Sequence, residues 1–419
     1  MNNRKLIAIR SLIIAAGATA ATSFVGVFAV MIGASAVEMG WLQSSSNSLS
    51  NLGQILWGRV SDRIGRRTPF LIAGSVILAT LWYMLPYSYD PVDLIILYAL
   101  ISLFSAMITV NWYSFIADNI AQQRGHFLAI ITNIGSLGTI ISLIAMFFLL
   151  DSDSRKDIII PFTAASVSYI ASAVIGFMLS EKKSEATMSK NLLGTLKTLK
   201  NNSIFYRYFR ATNVQSFFWA LAWPMFPITI VTIMHFSLKV VALLTISSIG
   251  SALITQYFIA KFIDNVNRVP LIFLNKIMLS GIPLMYAFFN SLPFFIVLEI
   301  YSGFLGSIQN TILTSYTLDV VPEGHRAEYI SILNGFNGAV YFAGALTGGY
   351  LLSLFIDFFP LKLALTFSYL IVFSGRFISS FLFRGLKEVS GGGRNNGVLS
   401  VLFKPRQPGS PSGAPINPR

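Results

Sequence analysis

Apolar runs close to the thickness of a membrane recur twelve times along this chain, with the polar residues gathered between them. A spanning helix needs about 20 mostly apolar residues. Such runs occupy residues 11–36, 39–58, 69–87, 92–116, 126–150, 158–179, 211–235, 239–260, 270–290, 293–317, 328–353 and 360–383. The second run breaks the pattern, because it carries Gln43, Ser44, Ser45, Ser46, Asn47, Ser48, Ser50 and Asn51. It can span only with that face against protein or a wet cavity. The first run is too long for the apolar part of a cleaved signal, and a second follows it at once. The pattern predicts an all-α membrane protein of twelve transmembrane helices.

Composition agrees. Charged residues make up 11% of the chain and apolar residues 54%, whereas soluble domains carry about 25% charged residues. With no cysteine in the sequence, disulfides, thiolate metal sites and cysteine nucleophiles are excluded. The net charge of +13 would suit nucleic acid, but its distribution argues otherwise. With the N-terminus inside, Arg4, Lys5, Arg10, Arg59, Arg63, Arg66, Arg67 and Arg124 fall on the cytoplasmic side. So do the basic residues from Lys182 to Arg210, Lys261, Arg268, Arg326 and those of the C-terminal tail. Only Arg155, Lys156, Lys239 and Lys362 fall outside, while Lys276 and Arg376 lie within runs. This is the positive-inside pattern of a multi-pass protein with both termini cytoplasmic, so no nucleic-acid partner is expected.

The division expected is a six-helix bundle over 1–180, a central loop over 181–210, a second six-helix bundle over 211–384 and a tail over 385–419. In the loop, Leu192, Leu193, Leu196 and Leu199 recur at helical spacing beside lysines, as in a helix lying on the inner leaflet; a plain solvated linker fits equally. The tail is rich in Gly, Pro, Ser and Arg and is expected to be disordered.

The halves echo each other. Gly58-Arg-Val-Ser-Asp62-Arg-Ile-Gly65-Arg66-Arg67-Thr-Pro69 has a degraded counterpart in Ala260-Lys-Phe-Ile-Asp264-Asn-Val-Asn-Arg268-Val-Pro270. Asp118 and Asp319, and Asn133 and Asn334, repeat at an offset of about 201 residues, and Arg66 with Arg268 at about 202. The repeat predicts two six-helix halves of the same orientation, related by an axis along the membrane normal.

The segment Gly58-x-x-x-Asp62-Arg63-x-Gly65-Arg66-Arg67, between the second and third runs, resembles the signature motif of the major facilitator superfamily. The resemblance covers roughly residues 8–384. It implies two pseudo-symmetric six-helix bundles around a central cavity lined by the first and fourth helices of each half. It also implies a gate in which Asp62 meets the N-terminus of the eleventh helix near Ala327, with Arg124, Asp264, Arg268 and Arg326 at the same gate. Gly58 and Gly65 suit tight helix ends. An alternative is that Arg63, Arg66 and Arg67 anchor the loop to anionic lipid.

For the substrate, ionisable groups within the membrane come first. Lys276 and Arg376 lie in helices that the resemblance places outside the cavity, and each is expected to snorkel to the inner surface. Glu299 stands in the tenth helix about 9 Å from its outer end, with Gly303, Gly306 and Asn310 following on one helix face. It could carry a proton, meet a cationic substrate, or merely bond a neighbouring helix. Asn111, Trp112, Asn213, Gln215 and Trp219 are further candidates. Pro224 and Pro227 should kink the seventh helix, and Gly335, Gly338, Gly344, Gly348 and Gly349 suit close packing of the eleventh. The fourth helix has no Arg. The fifth has Gly135 and Gly138 but not the Gly-Pro pair of drug–proton antiporters, so antiport has no motif behind it.

An enzyme would need clustered acids, bases or metal ligands, and His126, His235 and His325 are far apart. There is no Walker-type glycine loop for ATP-driven pumping, nor the signalling domain of a transporter-like receptor. The expectation is a monomeric secondary transporter for a small-molecule solute, surrounded by membrane lipid, without cofactor or metal. Protons are its candidate coupling ion. A cavity rich in Met and Phe would favour efflux of amphipathic compounds over uptake of a metabolite or sugar.

Overall fold

The computed structural model describes residues 3–119, 124–150, 155–181, 202–259, 263, 266–322 and 326–389, without the side chains of residues 124–126, 129, 326 and 327. Among the described residues there is no strand. The helices are α1 Asn3–Met31, α2 Ala36–Ile64, α3 Thr68–Tyr87, α4 Pro91–Asn119, α5 Arg124–Leu149 and α6 Arg155–Met178. The second half holds α7 Ser203–Ile233, α8 Leu238–Ile259, α9 Arg268–Phe288, α10 Leu292–Val320, α11 Arg326–Ile356 and α12 Leu361–Arg384. The expectations for the central loop beyond Glu181, the tail from residue 390, Asp264, and the side chains of Arg124, Arg326 and Ala327 lie outside the described residues.

Eleven of these helices are long and apolar enough to cross a membrane, and α2 is the exception. Five of its eight polar side chains from Gln43 to Asn51 are nonetheless satisfied within the helix. The hydroxyls of Ser44, Ser45 and Ser46 donate to the carbonyls of Trp41, Leu42 and Gln43, and the amides of Asn47 and Asn51 to those of Gln43 and Asn47. A helix whose polar groups find partners on its own backbone can be packed against α4 and α11 without water. It opens with a reciprocal cap between Ser35 and Glu38. It closes at Gly65, whose φ of 67° is left-handed and whose N–H donates to Ser61.

Two helices begin earlier than hydropathy suggests: α1 at Asn3 and α7 at Ser203. Polar first turns lower the local hydropathy without ending the helix. Arg10 is therefore not a loop residue as the charge pattern implies. It is only 2% exposed, two turns inside α1.

Helices α1–α6 and α7–α12 form two six-helix bundles that meet along α2–α11 and α5–α8. The ends carrying Arg59 to Arg67 and Arg268 form the Arg-rich end of the molecule. Towards the far end the bundles are in close contact. A Cβ on Gly40 of α2 would stand 3.1 Å from the Gly349 Cα of α11, and one on Gly26 of α1 would stand 2.8 Å from Pro227 of α7. Glycines of α11 do serve packing, as Gly344 lies against the Phe217 carbonyl.

Duplication is visible in the polar contacts. Arg67 pairs with Asp62 at 2.6 Å and approaches Asp118 at 3.9 Å, while Arg268 pairs with Asp319. This makes Arg67, not Arg66, the partner of Arg268 across the repeat. The sequence alignment through the aspartates slips by one residue there, because the second copy is one residue shorter between its aspartate and its proline. Glu181 accepts from the N–H groups of Arg67 and Thr68 that start α3, and Glu388 from that of Val269 at the start of α9. An acid at a helix N-terminus is favourable, and each half uses one at the same place.

Regular helix is interrupted in α1 and α7. Residues Ala15–Thr19 and Thr229–Ile233 form π-type turns, which widen the helix and strain its hydrogen-bond ladder. The Thr139 hydroxyl donates to the Ala15 carbonyl at 3.2 Å, and Thr229 shares a 2.7 Å hydrogen bond with Tyr369. As the two prolines predict, α7 breaks between Leu221 and Met225.

Candidate functional site

A cavity of about 460 Å³ opens within the second bundle. Its walls come from α7, α9, α10, α11 and α12. Helices α7 and α10 touch little, whereas α9 packs along α12. Long side chains on the two outer helices therefore reach through to the gap between the inner ones.

Two such side chains are Lys276 of α9 and Arg376 of α12, and both line the cavity. Neither snorkels as the sequence reading expected: their exposures are 5% and 2%. Each lies eight residues from the Arg-rich end of its helix, about 12 Å in at 1.5 Å per residue. The Arg376 guanidinium lies 4.1 Å from the centre of the Trp219 ring. The hydroxyl of Ser379, one turn nearer the Arg-rich end, donates to Gln215 at 2.5 Å. Arg376 is thus held at mid-depth and turned away from the nearer surface. Lys276 donates to Gln309 at 2.8 Å and lies 5.2 Å from the centre of the Phe383 ring.

Of the residues singled out from sequence, Gln215, Trp219 and Asn310 meet on this wall. The rest stand elsewhere. Asn111 is buried, its amide donating to Met107 on its own helix. Trp112 packs on Arg10, whose guanidinium is 4.0 Å from the ring centre and whose Nε donates to Ser172. Asn213 donates to Phe209. Glu299 accepts from the Tyr286 hydroxyl at 3.2 Å and is not on the cavity wall. The face it begins is covered at Gly303, which lies against the Ser248 backbone of α8, and becomes open at Gly306. Sequence reasoning did not assign Thr212, Gln309, Asn337, Tyr341, Lys276 or Arg376 to the site. For the last two the signal was present, since a charge inside an apolar run marks function by default.

This cavity is not the Met- and Phe-rich one that would favour amphipathic compounds. Its wall has neither residue and is instead built from Asn, Gln, Thr, Ser and Tyr among aliphatic side chains. Several polar atoms there have no partner although buried: Nε and Nη1 of Arg376, Nε2 of Gln215, Oγ1 of Thr212 and Oδ1 of Asn337.

In the motif, Arg67 is the residue that engages the acids, donating also to Ser61 at 2.6 Å, while Arg63 and Arg66 are exposed. Gly65 forms the helix end. Gly58 makes only ordinary contact, with Val110.

A profile describing the Major Facilitator Superfamily matches residues 7–211 and again 208–396. Among solved structures, a mutant form of the nucleoside transporter NupG superposes with a TM-score of 0.76 at 13% identity, covering 92% of this chain and 100% of that one. A bacterial homologue of the human lysosomal transporter Spinster, inward-facing and unoccupied, gives 0.66 at 12%, covering 92% and 98%. A D-xylose–proton symporter gives 0.64 at 14%, covering 93% and 97%. At these identities the likeness is one of fold. No curated protein matches the chain significantly.

Proposed function

The chain belongs to the major facilitator superfamily, and on that premise we propose that it is a secondary transporter carrying a small polar solute by alternating access. The observation that carries this reading is the cavity itself, a polar pocket of about 460 Å³ inside an otherwise apolar bundle. Buried polar groups without partners are expensive in a membrane protein, and a passing solute is what such groups can serve. The solute would rest against Gln215, Trp219 and Asn310 of the second bundle while that bundle rocks against the first. The close seam of α2 with α11 would part on one side, and the contacts around Arg67 and Arg268 on the other.

By the distribution of Lys and Arg, the Arg-rich end faces the cytoplasm in a cell membrane. Arg63 and Arg66 stand there for anionic lipid. The polar wall favours a hydrophilic metabolite over an amphipathic drug. The similar solved structures include a nucleoside transporter and a D-xylose–proton symporter, whose solutes are hydrophilic.

The test is uptake into proteoliposomes that enclose a pH-sensitive dye, with nucleosides, sugars, organic acids and lipophilic cations offered singly. Saturable uptake of a hydrophilic solute, weakened by Gln215→Ala or Asn310→Ala, is expected, and an accompanying proton flux would identify the coupling ion. Uptake of lipophilic cations alone would replace the hydrophilic reading with drug transport. Entry of every solute at the rate of protein-free liposomes would refute transport.

A further inference from the structure

We infer that the solute is an organic anion, its oxyanion group held by Arg376 and Lys276; this rests on the cavity being the transport site. Two cations at matched depth line one cavity, and no Asp or Glu is found on its wall among the described residues. Lys276 has the neutral Gln309 as its hydrogen-bond partner. Nε and Nη1 of Arg376 have none. Burying a charge in a bundle is costly unless it is paired, and a guanidinium offers a planar fork shaped for carboxylate or phosphate. Among the buried atoms without a partner around it, Nε2 of Gln215 is a further donor, the Thr212 hydroxyl can donate or accept, and Asn337 Oδ1 is the acceptor.

The Trp219 ring holds the guanidinium carbon 4.1 Å from its centre. Gln215, the neighbour of Arg376 on α7, is itself anchored through Ser379. The fork is therefore preorganised. It does not wander to the membrane surface, where water would neutralise its selectivity. The remaining wall is aliphatic and aromatic (Leu279, Ile282, Leu313, Leu333, Tyr341), enough to cover a compact body behind the anionic head. The two halves differ in where the cations stand. In the first bundle, Ser75 of α3 and Ser172 of α6 share a hydrogen bond of 2.9 Å and Ser172 accepts from Arg10 of α1, whereas in the second bundle the helices corresponding to α3 and α6 themselves supply Lys276 and Arg376.

The experiment uses the full-length purified protein and isosteric pairs that differ in charge: benzoate and benzamide, nicotinate and nicotinamide, cinnamate and cinnamamide, lactate and lactamide. Binding is read by tryptophan fluorescence and by thermal shift. At least one acid should bind, with its amide weaker by roughly tenfold or more, as loss of a charged hydrogen bond implies. Arg376→Gln should abolish that discrimination, Lys276→Gln should reduce it, and Arg376→Lys should restore part of it. Because Nε and Nη1 of Arg376 are unpartnered and its described contact is with the Trp219 ring, ligand-free Arg376→Gln should melt within about 1 kcal/mol of the wild type, about 5-fold in the folded-to-unfolded ratio, whereas a purely structural arginine would leave a much less stable protein. Equal binding of acid and amide, no acid binding in any pair, or discrimination that survives Arg376→Gln would overturn the assignment. Inorganic phosphate and phosphatidylglycerol nanodiscs form separate arms. Occupancy that follows phosphatidylglycerol instead of the added acid would make the ligand a lipid headgroup and overturn the small-molecule assignment. If acids fail to bind while xylose or a nucleoside enters proteoliposomes, the anion assignment falls and transport stands. If no solute of any charge enters, both fall.

Discussion

Gly349→Ala should tilt the protein towards a state open at the far end. The Cβ it adds would stand 2.6 Å from the Ala36 carbonyl oxygen and 2.8 Å from the Gly40 Cα. Both are backbone atoms of α2 and cannot rotate away, so the helices must separate locally. Overpacking of this kind costs about 1–3 kcal/mol. The cost falls only on conformations in which α2 and α11 touch at this level, so the ratio of open to closed molecules should rise roughly 5- to 150-fold. The chain has no cysteine of its own, so spin labels can be placed at Asp93→Cys in the first bundle and Asp357→Cys in the second. Both positions are exposed. Pulsed electron-spin distance measurement should show a longer component gaining population in the Gly349→Ala background. An unchanged distance distribution together with a lowered melting temperature would mean that the seam is static packing, and the gating argument would fail.

Other outcomes follow from the same contacts. Gly303→Ala should lower yield and melting temperature by the equivalent of about 1–3 kcal/mol, because its Cβ would run into the Ser248 backbone, while Gly306→Ala, facing open space, should fold normally; equal melting curves would contradict the α8–α10 packing. Arg67→Met removes an ion pair whose arginine is largely buried and should lower thermal stability by about 1.5–3 kcal/mol, the worth of a hydrogen bond to a charged group, while altering uptake rate; a collapse of the fold would show that the pair is structural. Glu299→Gln keeps an acceptor oxygen for the Tyr286 hydroxyl, so uptake and its pH dependence should persist. Loss of both would make Glu299 a proton carrier.

How far the sequence could be read depended on what each signal measures. Apolar length located the helices, because a bilayer imposes that length directly. It misjudged where α1 and α7 begin, since a helix needs no apolar residues once it leaves the bilayer. Charge alternation rescued α2, whose serines and asparagines look unfit for a membrane until their bonds to their own backbone are seen. The candidate site was legible only in part. Gln215, Trp219 and Asn310 were found because polar and aromatic side chains stand out in apolar runs. Lys276 and Arg376 stood out more, but their helices were expected on the outside. What a linear pattern could not supply was the slack between α7 and α10, through which these two side chains reach the cavity. Arg10 was misread for a related reason: near a chain terminus, a buried and a solvated arginine look alike in sequence.

Alternating access is tested most directly at one cavity residue approached from two sides. Asn310 lines the cavity and is exposed within it, and a cysteine there would be the only one in the chain. In vesicles of known orientation, Asn310→Cys should react with a membrane-impermeant maleimide from either face, and a transported solute should change the two rates in opposite directions. Reaction from one face alone, whatever solute is present, would contradict the account.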